Sequence, residues 1–138
     1  MAYTKAGIRF SNDSYVTVDA ENAPKRKLLF ENPDTSQEMS GITLFNESEL
    51  EGYDYISFIV TSTSGDYEVE ELCEIAPLKA HSGQFVVSMP ITDALYCRKI
   101  YRSAGAVKVS TAVYDLGKTT GNKAYCIIKK VEAVKIGV

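Results

Sequence analysis

The sequence predicts an all-β fold, an antiparallel β-sandwich of jelly-roll-like type. Three observations carry that prediction. First, the dominant period of apolar residues is two: Val107, Val109, Thr111 and Val113 fall on one side of an extended chain, and Lys108, Ser110 and Ala112 on the other. Second, these runs are rich in Tyr, Val, Ile, Thr and Phe, the residues that suit a pleated, half-buried surface. Third, turn-forming clusters punctuate the chain at Ser11–Ser14, Asn32-Pro33-Asp34, Ser62–Asp66, His81-Ser82-Gly83, Ser103-Ala104-Gly105 and Gly117–Asn122. Short strands at regular spacing with such breaks read as a sandwich or barrel.

Taken in order, residues 1–13 read as an N-terminal arm that could dock on a neighbour, and residues 14–138 as one β-sandwich domain. The first strand, 14–19, holds the alternation Tyr15–Val18. The next, 26–31, carries Leu28, Leu29 and Phe30 and is stopped by Asn32-Pro33-Asp34, since proline presets a turn and lacks an amide donor. Ile42, Leu44 and Phe45 mark 40–45. Ile56, Phe58 and Val60 alternate in 53–61, where Asp54 can bond backbone amides and start the strand. Further strands are expected at 68–76, at 84–90 (Phe85, Val87, Met89), at 95–102, at 106–114 and at 123–136. Helical turns are expected only at 46–51 and 92–96.

With 138 residues the chain is long enough for one buried core. Its formal charge of −3 gives no electrostatic reason to expect nucleic acid or an anionic membrane as partner. No apolar run approaches the ~18 residues of a membrane span, and no basic-apolar leader opens the chain, so a soluble protein without an export signal is expected.

Few residues point to chemistry. His81 is the only histidine, which excludes a multi-histidine metal site; as a base it would need a nucleophile such as Cys97 or a serine beside it. Gly117-Lys118-Thr119 imitates the end of a phosphate-binding loop, but position 112 is Ala112 where that motif has glycine, so a hairpin loop is expected. Acidic clusters occur at Glu47, Glu49, Glu51 and at Glu68, Glu70, Glu71, Glu74. A carboxylate pair or a calcium site is weighed there against a solvated strand face with Glu68 and Glu70 on one side.

Cys73, Cys97 and Cys126 are odd in number and far apart, and are expected as buried free thiols. Asn12-Asp13-Ser14 and Asn46-Glu47-Ser48 match a glycosylation triplet, and Lys25-Arg26-Lys27 is a short basic patch at a strand start. Nine tyrosines, among them Tyr53, Tyr55, Tyr67, Tyr96, Tyr101, Tyr114 and Tyr125, suit cross-strand packing, subunit contacts or stacking on a sugar.

The stretch LLFENPDTSQEMSGITLF (28–45) followed by GYDYISFIV (52–60) resembles a pattern in small tailed-bacteriophage virion proteins, a group that includes tail-fibre and baseplate tips and head-fibre or decoration proteins. The matching residues are Leu28, Leu29, Phe30, Asn32, Pro33, Ser36, Ile42, Leu44, Tyr53, Asp54 and Ile56, with a looser match at Tyr125-Cys126-Ile127-Ile128 and Ile136-Gly137. Phe30 stands where that pattern has tryptophan, and 61–122 carries none of it.

The resemblance brings no catalytic, cofactor or metal residue. It implies a non-enzymatic virion subunit, a homotrimer that touches other capsid or tail proteins, made in the bacterial host cytoplasm. A host-surface glycan is the partner expected if the chain is instead a receptor-recognition module. A small hydrolase would require His81 or the Glu68–Glu74 group to line a pocket.

Overall fold

The computed structural model describes residues 5–9, 15–19, 25–76, 84–91, 94–115 and 121–136. Among them are strands β1 (Lys5–Arg9), β2 (Tyr15–Asp19), β3 (Lys25–Glu31), β4 (Thr43–Asn46), β5 (Tyr55–Thr61), β6 (Glu68–Glu74), β7 (Gln84–Ile91), β8 (Ala94–Ser103), β9 (Ala106–Asp115) and β10 (Ile127–Lys135). β1, inside the stretch expected as an arm, pairs antiparallel with β2 as a two-stranded sheet.

The other eight strands form two four-stranded antiparallel sheets packed on each other. Sheet I has the order β3-β10-β5-β6 and sheet II the order β4-β9-β8-β7. The chain changes sheet four times, between β3 and β4, β4 and β5, β6 and β7, and β9 and β10. The consecutive strands β3 and β4 therefore lie in opposite sheets, each beside a strand from the C-terminal part of the chain. Hairpins within a sheet join β5 to β6 and run through β7, β8 and β9.

Alternation fills the core as the sequence predicts. Ile56, Phe58 and Val60 of β5, Val131 and Ala133 of β10, Val87 and Met89 of β7, and Val107 and Val109 of β9 are buried. Burying each Val, Ile or Phe contributes about 1.5–3 kcal/mol.

Turns follow the local chemistry. The Asn32 side chain accepts the Asp34 amide (3.0 Å), and Asp34 accepts the Ser36 amide (3.0 Å). Asn32 also donates from its amide to Lys129 O and from Nδ2 to Ile128 O, so the turn is tied to β10. Asp54 bonds backbone as expected, but its partners are remote. Its amide donates to Val134 O and its carboxylate accepts the Ile136 amide. The expected helical turn at 46–51 is a single 3-10 turn, Glu47–Leu50, where Glu49 accepts the Asn46 amide (2.9 Å).

Three expectations need correction. Residues 94–96, expected in a helical turn, open β8 and pair with Ile91, Pro90 and Met89. Thr111, expected inward with Val109 and Val113, is exposed. There, β9 places Ser110, Thr111 and Ala112 opposite Lys99 alone, a bulge that breaks the period of two. The last strand starts at Ile127, not near 123, because Cys126 adopts φ +55° and cannot continue an extended run.

Candidate functional site

Two places gather aromatic and polar side chains, one at each end of sheet I. At the first, β5 begins and β6 and β10 end. The register sets Tyr55 beside Val134 on one side and Glu74 on the other. Tyr55 and Glu74, with Tyr53, Asp54, Ile75 and the half-exposed Ile136, line an open groove of about 700 Å³. Asp54 is held by three bonds: its amide to Val134 O, its carbonyl from the Ile75 amide, and its carboxylate from the Ile136 amide. The groove therefore presents tyrosines and carboxylates on a pinned backbone, a lining suited to stacking and to accepting hydrogen bonds.

At the opposite end the Tyr96 and Tyr125 rings stack, 4.7 Å between centroids and 3° apart, and Tyr67 tilts against Tyr125 at 6.1 Å. Gly121 closes the cluster: a Cβ there would meet the Tyr96 ring and the Tyr114 backbone at 2.9 Å. Tyr96 and Tyr125 pack on the core and on each other, while Tyr67 stays 40% exposed. This trio is mainly packing, with one ring at the surface.

Other chemistry-bearing groups are spent on structure. Arg98 is fully buried and donates to four backbone carbonyls: Cys126 O (2.8 Å), Ser110 O (2.8 Å), Thr111 O (3.0 Å) and Tyr125 O (3.3 Å). It thus satisfies the β9 bulge and the left-handed Cys126 segment together. Sequence reasoning missed Arg98, and no neighbouring residue signals it, because its partners are carbonyls far along the chain.

The acidic cluster of β6 is divided by the pleat. Glu68, Glu70 and Glu74 are exposed, whereas Glu71 turns inward and accepts the Ser88 amide of β7 (3.2 Å). Burial pushes the Glu71 carboxyl up from its ordinary range. Glu70 lies in a network on the outer face of sheet I, accepting from Ser57 Oγ (2.6 Å) and from Arg26 (2.8 Å), and these bonds hold its carboxyl low. Arg26 is thereby placed in a salt-bridge network from the basic patch of 25–27, with Glu132 as its second partner.

All three cysteines are free thiols, but only Cys126 is buried; Cys73 and Cys97 are partly exposed. Burial pushes Cys126 up to about 12 and Cys73 to about 11, so both are poor nucleophiles near neutrality. His81, Gly117-Lys118-Thr119 and Asn12-Asp13-Ser14 lie outside the described residues. Of the carboxylates weighed for catalysis only Glu74 lines the groove. Among the described residues no three His, Cys, Asp or Glu side chains converge to hold a metal ion.

No protein family, no curated protein and no solved structure matches the chain.

Proposed function

We propose that the chain is a bacteriophage virion structural protein, a head-fibre, decoration or fibre-knob subunit that works through protein–protein contacts and not by catalysis. The reading begins from the resemblance over residues 28–60. One structural observation supports it most: the outer face of sheet II. The register sets Tyr101, Lys108, Gln84 and Thr43 in one row, and Tyr114, Cys97 and Ser88 in another. Val86 and Tyr114 are 51% and 45% exposed on it. A sheet face carrying exposed aromatic and apolar side chains has the composition of a contact surface.

The test is immunogold labelling of this chain on intact phage particles. Label on the capsid or on the tail is expected, and its position assigns a decoration or a fibre role. Particles without label overturn the proposal.

The groove at Tyr53 and Tyr55 favours a second reading, a host-glycan recognition module at the tail tip. It expects binding on a glycan array that Tyr55→Ala abolishes; binding unchanged in that variant would remove the groove from consideration.

A further inference from the structure

The groove at Tyr53 and Tyr55 has spent its backbone donors. The Tyr53 amide donates to Leu50 O, the Asp54 amide to Val134 O, the Ile75 amide to Asp54 O and the Ile136 amide to the Asp54 carboxylate. What remains to face a ligand is chiefly acceptors. The Glu74 carboxylate is exposed and has no bonded partner among the described residues. The Asp54 carboxylate keeps one oxygen that Ile136 does not take. The hydroxyls of Tyr53 and Tyr55 can donate or accept.

No nearby cation answers these charges. The described residues that line the groove include no lysine or arginine. Arg26, Val134, Tyr55 and Glu74 fall in one cross-strand row of sheet I. Arg26 is the one cation of that row, and its guanidinium is committed to Glu70 (2.8 Å) and Glu132 (3.4 Å). Lys135 follows Val134, and its ammonium donates to Gly52 O (3.3 Å). The lining is therefore acceptor-rich and negative, and it favours a cation over an anion.

Size and apolar lining point to more than a bare ammonium. About 700 Å³ lies within the range of small-molecule sites, roughly 300–1,000 Å³. Two tyrosines with Ile75 and Ile136 supply apolar surface, and tyrosine rings attract cations as well as C–H groups.

We infer that the groove takes a protonated amino sugar, its ring against Tyr53 and Tyr55 and its ammonium at Glu74 and Asp54. An ammonium brings three donors and no acceptor, the complement of this lining. Sulfated, phosphorylated and carboxylated glycans are repelled. The inference deepens the glycan reading of the groove and rests on it.

The experiment is an amide-shift titration of nitrogen-labelled protein at about 150 mM salt, where exposed charges are screened beyond about 8 Å. The probes are the trisaccharide of β-1,4-linked glucosamine and its fully N-acetylated form, which keeps the rings and loses the charges. The free amine is expected to bind about tenfold tighter or more, with shifts centred on Tyr53–Tyr55 and Ile136. Glu74→Gln is expected to bring its affinity down to that of the acetylated sugar. Glu31→Gln removes the same charge from an exposed position at the far end of β3 and is expected to keep the preference. Spectra matching wild type establish that both variants fold.

Equal binding of the two sugars overturns the inference and leaves the glycan reading standing. A preference that survives Glu74→Gln, or that Glu31→Gln removes as well, also overturns it, because the selectivity then lies outside the groove. So does a trilysine peptide that binds as tightly, since the sugar rings then contribute nothing. Binding of neither sugar overturns the inference, and a blank glycan array removes the glycan reading itself.

Discussion

Arg98 and Glu71 are the two residues whose environment and sequence appearance differ most. Arg98 sits in a stretch that alternates like any strand, YCRKIYR, where an arginine reads as an outward charge. It points inward because the β9 bulge and the left-handed Cys126 leave carbonyls unpaired, and a fork with five donors can serve them together. Each buried acceptor left without a donor costs about 1–3 kcal/mol. Arg98→Met should therefore lower unfolding stability in urea by at least about 3 kcal/mol. Lysine at this position, a point charge without the fork, should recover less than half of that loss.

Glu71 gives a prediction with a definite sign. Its carboxyl is raised above the ordinary 4.5, chiefly by desolvation. An acid whose folded value is raised binds its proton more tightly in the folded state, so stability grows as pH falls through that value and is lost as pH rises through it. The thiols of Cys73 and Cys97 lie near this carboxyl and raise no competing charge at neutrality. Glu71→Gln, which keeps an oxygen for the Ser88 amide, should thus match or exceed wild-type Tm at pH 7. The gap should close as pH drops to about 4. A variant less stable at every pH would mean that the charge itself holds the β6–β7 corner.

Among the elements, turns were the most legible and bulges the least. Asn32-Pro33-Asp34 announces its turn because each side chain bonds backbone within two residues. The β8–β9 hairpin is legible for a different reason, the glycine in its loop: Ser103 pairs with Ala106, and the two loop residues Ala104 and Gly105 have φ +51° and +80°. Positive φ at both places matches a type I′ turn, where Asn-Gly is preferred. Alanine at the first position is strained, so Ala104→Asn should stabilise by about 0.5–1 kcal/mol, read as a rise in Tm of about 2–4 °C. No change would mean that the surrounding strands already absorb the strain.

Bulges were illegible because an extra residue leaves composition and propensity untouched. Only the partner strand shows the slip, and the partner is distant in sequence. Ser110–Ala112 therefore read as three more alternating residues. The groove was half legible: Tyr53, Asp54 and Tyr55 were singled out, but Ile136 and Glu74 join them only through the pairing of β5 with β10 and β6.

For the whole molecule, the all-β sandwich was legible from periodicity, because burying one side of every strand leaves few alternatives to two facing sheets. Which strands share a sheet was not, since nothing in the local pattern marks a change of layer. That order has a consequence in time. β10, the last of the described strands in chain order, is inserted between β3 and β5 and pairs with both. The segment just before it carries two of the carbonyls that receive Arg98. During synthesis β3 and β5 therefore wait with unpaired edges while more than sixty residues separate Thr61 from Ile127. Such non-local closure is slow, and open edges meanwhile invite pairing with other chains. A ribosome-bound chain stopped before residue 127 should thus remain protease-sensitive throughout, and one extended far enough for Lys135 to clear the exit tunnel should gain protection in a single step.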